Sequence, residues 1–208
     1  MKSIENLSYW LSLLFMICNV LSCKSPTENA VESYHFSFEN DYECWTVRAL
    51  DVTMNLPDTT MTIPWHIIQS NLRATHGSKS LEFYFHNATD AAKIWIERSF
   101  QLDPAKSYAV TITYDFASAD GGAAGGQTLV TKIVSASPQS SADIIAGTLP
   151  GGTYNGGGFE YRWLAKQINT TIQPHSSGHI VVFIGIWGTF EIASTYYIDN
   201  VRVLINPG

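Results

Sequence analysis

Thr195-Tyr196-Tyr197-Ile198-Asp199-Asn200-Val201-Arg202-Val203-Leu204-Ile205 reads as a β-strand that carries an acid and an amide in its middle. Side chains alternate across a strand with a period of two, so Tyr196 and Ile198 fall on one face, whereas Val201, Val203 and Ile205 fall on the other. The apolar phase slips at Asp199-Asn200. One extra residue in the strand, a β-bulge, accounts for the slip.

The same language recurs upstream. "YHFSFE" from Tyr34, "SLEFYFH" from Ser80, "AKIWIE" from Ala92, "YAVTITYDF" from Tyr108, "TLVTKIVS" from Thr128, "FEYRWLAK" from Phe159 and "HIVVFIGIW" from His179 are short β-rich runs between turn residues. No stretch has the period of a long amphipathic helix, so the chain reads as all-β. Leu81, Phe83 and Phe85 alternate with Glu82, Tyr84 and His86, which predicts a sheet with one buried face. "HIVVFIGIW" is apolar on both faces and predicts a central strand. The glycine-rich stretches "SADGGAAGGQ" and "LPGGTYNGGG" match no GxxxxGK[ST] and open no helix, so they read as loops rather than phosphate cradles.

The N-terminus speaks to address. "YWLSLLFMICNVLSC", Tyr9 to Cys23, has the length of a secretory signal and is too short to span a bilayer comfortably. Its end, Val20-Leu21-Ser22-Cys23, resembles the bacterial lipobox, which implies cleavage after Ser22 and a lipid on Cys23. The expected organisation is a signal peptide over 1–22, a flexible tether over 23–33 and one β-sandwich domain over 34–208, lipid-anchored to a bacterial membrane, with the outer membrane the expected one. Of the three cysteines, Cys18 leaves with the signal and Cys23 takes the lipid. Cys44 then stands alone, and no intramolecular disulfide is expected. The formal charge of −6 and the lack of a basic tract argue against nucleic acid as a partner.

Three fragments, "FSFEND" with Trp45 downstream, "THGSKSLEF", and the closing "YYIDNVRVLI", resemble the calcium-binding β-jelly-roll carbohydrate-binding modules of galactose-binding-like type. The resemblance implies an antiparallel β-sandwich of jelly-roll type over most of the chain. It also implies one structural Ca²⁺ held by Glu39, a backbone carbonyl near Lys79, and Asp199. Asp41 is a further candidate ligand. Ca²⁺ takes oxygen ligands, carboxylates and carbonyls among them, and a bulged strand leaves such oxygens unpaired.

Catalytic motifs are not evident. The histidines show no HExxH spacing and no Gly-x-Ser-x-Gly occurs. Aromatic residues carry more information, because exposed rings stack on the apolar faces of sugars. In "KIWIE", if Ile94 and Ile96 face the core, Trp95 faces water. Tyr84 has the same outward phase and Tyr154 lies in a glycine-rich loop, so Trp95 with Tyr84 or Tyr154 is the predicted sugar platform. Phe159, Tyr161 and Trp163 share one face, and Phe159 and Trp163 are assigned to the core. The expected function is a surface-anchored, non-catalytic lipoprotein that binds polysaccharide. The alternatives are a protein-binding adhesion or scaffold module, and a small polysaccharide lyase or hydrolase assembled only in three dimensions.

Overall fold

The structure is a computed structural model describing residues 31–56, 58–86, 91–119, 127–145, 149–150, 161–188 and 193–208. The strands are β1 (Glu32–Phe36), β2 (Thr46–Leu50), β3 (Thr53–Leu56), β4 (Thr59–Thr62), β5 (Trp65–Ser70), β6 (Ser80–His86), β7 (Lys93–Gln101), β8 (Tyr108–Ala119), β9 (Gln127–Val134), β10 (Leu149–Pro150), β11 (Tyr161–Ile172), β12 (His179–Gly188) and β13 (Ala193–Pro207). One short helix, α1 (Ser141–Ile145), precedes β10. Two antiparallel sheets form a β-sandwich of jelly-roll type, one ordered β11-β8-β13-β6-β5 with β1 also on β13, the other β10-β9-β12-β7-β2. The apolar run of β12 is the central strand that its sequence predicts.

The core lies between the sheets. Ile112, Tyr114 and Phe116 of β8, Leu81 and Phe83 of β6, and Ile198, Val201, Val203 and Ile205 of β13 meet Ile94 and Ile96 of β7 and Val182, Ile184 and Ile186 of β12. Each such side chain contributes roughly 1.5–3 kcal/mol of burial. The Tyr114 hydroxyl shares a 2.6 Å hydrogen bond with Thr131 Oγ1 across this core, so its polar atom is satisfied.

The bulge is present where the phase slip places it. The register of β13 against β8 shifts between Asp199 and Arg202, and Asn200 takes a positive φ of 53°, which asparagine tolerates better than most residues. Tyr196, Ile198, Val201 and Val203 therefore all reach the core. The bulge also marks a change of partner: Ile198 pairs Leu81 of β6, and Val201 pairs Phe36 of β1. The turn leading into β6 lies at this junction.

Two expectations are corrected here. Trp95 is only 2% exposed, because the outer face of its sheet is covered too. It packs with Val130, Phe183 and Ile144 of α1 in a second, smaller core. Opposite it stands Gly185, where a Cβ would come within 2.3 Å of the Trp95 Cβ. Polar anchors hold the cover down. Ser137 Oγ donates to Glu97 Oε2 (2.7 Å), as does Trp95 Nε1 (2.9 Å), and the buried Lys93 Nζ donates to Ser141 Oγ (3.1 Å). The period-two argument failed because it assumed that one face of β7 met water. Second, Cys44 is disulfide-bonded. The remaining cysteines, Cys18 and Cys23, lie outside the described residues, as do the signal, most of the tether and the lipidation site.

Candidate functional site

The open aromatic face is on the other sheet. Cross-strand partners share a face, so the register Trp163↔Ala117↔Tyr197↔Glu82↔Ile68 defines one row across the outer side of β11, β8, β13, β6 and β5. Thr195↔Tyr84↔His66 is part of the neighbouring row, toward Tyr161. Tyr197 is the floor, 4% exposed, with Tyr161 edge-on at 5.2 Å and Trp163 tilted at 6.5 Å between ring centroids. Both flanking rings are partly exposed. Ala117 stands between Trp163 and Tyr197 in this row and is fully buried.

Polar groups frame the rings. Glu82 accepts from the Tyr197 hydroxyl and lies 3.3 Å from His66 Nε2, while His66 stacks on Tyr84 at 5.1 Å. Burial, with the neighbouring Glu82 charge, pushes the Tyr197 phenol up to about 12, so it stays a neutral hydroxyl donor at ordinary pH. Burial also raises Tyr161, whose hydroxyl bonds to Thr195. The guanidinium of Arg73 lies 4.0 Å over the Tyr161 ring and 5.9 Å from that of Tyr197.

One step along the strands, Ala165↔Asp115↔Asp199 forms the next row, followed by Gln167↔Thr113↔Arg202. A cavity of about 310 Å³ opens here, lined by Asp115, Gln167, Asn200, Thr113 and Lys166 among others. That is the lower end of small-ligand pockets. Carboxylate, amide and hydroxyl groups side by side present both donors and acceptors, as a polyol requires. The face thus sets an aromatic cluster one row away from a polar pocket.

The residues of the metal expectation converge differently. Glu39 Oε1 accepts from the N–H groups of Ser78 (2.9 Å) and Lys79 (2.8 Å), and its Oε2 accepts from Ser78 Oγ (2.9 Å). Asp199 Oδ2 accepts from the N–H groups of Thr75 (2.8 Å) and His76 (2.9 Å). Both carboxylates therefore grip one turn, Thr75–Lys79. Gly77 makes the approach possible: at φ 73°, any Cβ there would sit 2.5 Å from the Glu39 carboxyl carbon. Asp41 faces its own turn, accepting from Glu43 N–H, and Lys79 Nζ donates to the Glu39 carbonyl.

These residues fit a hard cation in two respects. Asp199 is fully buried, faces Asp115 across the strands and has no Lys or Arg ion pair among the described residues. Buried charge without a partner is costly, and metal coordination is one remedy. Each carboxylate also keeps one oxygen with a single hydrogen bond, Glu39 Oε2 and Asp199 Oδ1, and so retains free lone pairs. Against that, no group of three His, Cys, Asp or Glu side chains gathers at metal distance among the described residues.

The sugar-platform prediction thus divides. Trp95 is buried on one sheet and Tyr84 is half-exposed on the other, so they share no platform. Tyr154 lies outside the described residues. Trp163, assigned to the core from sequence, stands instead on the open face. The signal for it was its shared period with Tyr161. The contributions of Tyr197, Arg73, Glu82, His66, Asp115 and Gln167 depend on pairings between distant strands.

No protein-family model matches the chain, and no curated protein matches it. Solved structures do. A carbohydrate-binding module that recognises mannan, TmCBM27, is 14% identical with a TM-score of 0.51, covering 84% of this chain and 98% of that one. The CBM22-1 xylan-binding domain of Paenibacillus barcinonensis Xyn10C is 14% identical with a TM-score of 0.47, over 88% and 99% of the two chains. A Stig cyclase, Fisc, from Fischerella sp. TAU reaches a TM-score of 0.47 at 14% identity, over 84% and 90%. The likeness to TmCBM27 is one of fold, so ligand and activity rest on the residues of this chain.

Proposed function

We propose that the chain is a non-catalytic carbohydrate-binding protein whose ligand lies along the outer face of the β11-β8-β13-β6-β5 sheet. The observation that carries this reading is the adjacency of the Tyr161–Trp163–Tyr197 cluster and the pocket at Asp115, Gln167 and Asn200 on one sheet face. Aromatic rings meet the C–H faces of a sugar and the polar pocket meets the hydroxyls of the next one. That arrangement suits a chain of sugars better than a monosaccharide. Sheet strands hold both halves, so the site is preorganised.

Two further features belong to the same proposal. A Ca²⁺ at the Glu39–Asp199 turn would fix the backbone beside the pocket and relieve the buried Asp199 charge. Lipidation of Cys23, expected from the lipobox-like sequence, would place the domain on the cell envelope with the binding face free. Screening the protein on a glycan array tests the reading: it requires polysaccharide or oligosaccharide binding that Trp163→Ala removes.

A further inference from the structure

Resting on the glycan reading, one group on the binding face bears on which glycan is taken. The Arg73 guanidinium carbon lies 4.0 Å over the centre of the Tyr161 ring, and the Arg73 carbonyl is pinned by Ser80 Oγ at 2.6 Å. Five and six residues on, the same segment is gripped by Glu39 through Ser78 and Lys79, so the arginine is presented from a fixed backbone. A guanidinium placed over a ring uses its N–H donors for none of that contact's attraction, and those donors form a fork that fits a carboxylate or sulfate. No carboxylate among the described residues lies within ion-pair distance of it.

The acids of this face are engaged within the protein, although Asp115 also lines the pocket. Glu82 bonds the Tyr197 hydroxyl and His66, Asp199 is buried, and Asp115 Oδ2 accepts from Thr75 Oγ1 (2.8 Å) and Asn200 Nδ2 (3.0 Å). The face's other arginine, Arg202 at the pocket end, is exposed and donates only to the Asn200 amide. The charged residues of the face that are exposed, Arg73 and Arg202, are cationic on a chain whose formal charge is −6. An overall negative charge gives no long-range attraction for an anion, so the selection acts at contact distance.

We propose that Arg73 is a specificity-determining residue, and that the bound polysaccharide carries anionic substituents, carboxylate or sulfate ester, that dock on its guanidinium. The test titrates the full chain against matched pairs: polygalacturonate with its methyl ester, and κ-carrageenan with its desulfated form. The expected result is that the charged member of a pair binds more tightly. Arg73→Gln should then weaken that member by about tenfold or more, and by far more than the neutral one, and Arg73→Lys should recover only part. Which pair responds separates carboxylate from sulfate. Equal binding of charged and neutral members, or a charge preference that Arg73→Gln leaves intact, overturns the anion assignment but leaves the glycan reading in place. No binding to any of the four polysaccharides overturns the anion assignment, and absence of binding across a wide glycan array overturns the glycan reading as well.

Discussion

Glu39 and Asp199 come from opposite ends of the domain and hydrogen-bond to the two halves of one turn, Glu39 to Ser78 and Lys79, Asp199 to Thr75 and His76. The turn sits where β13 leaves β6 for β1. The carboxylates thus close the gap that the change of partner opens, and they fix the segment that carries Arg73. Removing Asp199 takes the acceptor from the backbone N–H groups of Thr75 and His76, both exposed residues, so the loss is that of the bonds, about 0.5–1.5 kcal/mol each, rather than of buried orphaned donors. Asp199→Ala should therefore cost roughly 1–3 kcal/mol in urea unfolding. A loss below about 0.5 kcal/mol would mean that the clasp is not structural.

Calcium provides a separate readout of the same turn. A ligand of the folded state alone raises stability by RT ln(1 + [L]/Kd), about 2.7 kcal/mol at a hundredfold excess over Kd. Added Ca²⁺ should raise the melting temperature and chelation should lower it. Glu39→Gln and Asp199→Asn should blunt the response. If millimolar Ca²⁺ leaves melting unchanged in the wild type, the metal proposal fails and the clasp stands on its hydrogen bonds alone.

Acid sensitivity has a defined sign. The Lys79 N–H first, then Ser78, hold the Glu39 carboxyl below its ordinary 4.5. A carboxyl lowered in the folded state adds stability that is fully present above its unfolded value and is lost as pH falls through the folded one. Melting temperature should thus drop as pH falls below about 4.5, and Glu39→Gln should flatten that limb. Glu43, raised by burial, acts in the opposite sense, so the comparison is between variant and wild type. Identical limbs would contradict the role given to Glu39.

The second core makes Trp95 a stability residue. Trp95→Ala should cost about 3–5 kcal/mol, the range for truncating a core tryptophan. Gly185→Ala should also destabilise, because its Cβ would overlap Ile94 O and Trp95 Cβ, each at 2.3 Å. A Trp95→Ala domain that melts with the wild type would restore the exposed-platform reading.

The anchor has its own test. Cys23→Ala should release the domain from the membrane fraction. Unchanged partitioning together with an unmodified Cys23 peptide by mass spectrometry would contradict the lipid anchor.

Much of the fold was legible because it rests on local periodicity. The alternation of Leu81 and Phe83 with Glu82 and Tyr84, the doubly apolar β12 and the phase slip at Asp199-Asn200 each map directly onto burial. The junction of Glu39 with the turn before β6 was legible only through the resemblance. Trp95 misled because the cover over its sheet comes from α1 and Ser137, distant in sequence. The binding face was illegible for a related reason. Trp163, Tyr197 and Glu82 become neighbours only through the strand order β11-β8-β13-β6, which no single segment encodes.

The most direct test titrates Trp163→Ala and wild-type protein against the polysaccharide that a glycan array identifies. Trp163 is half-exposed and outside the core, so the variant should keep its melting temperature within a few degrees while affinity falls at least about tenfold. Unchanged affinity in a folded Trp163→Ala protein, or a wild type that binds no glycan, would contradict the account.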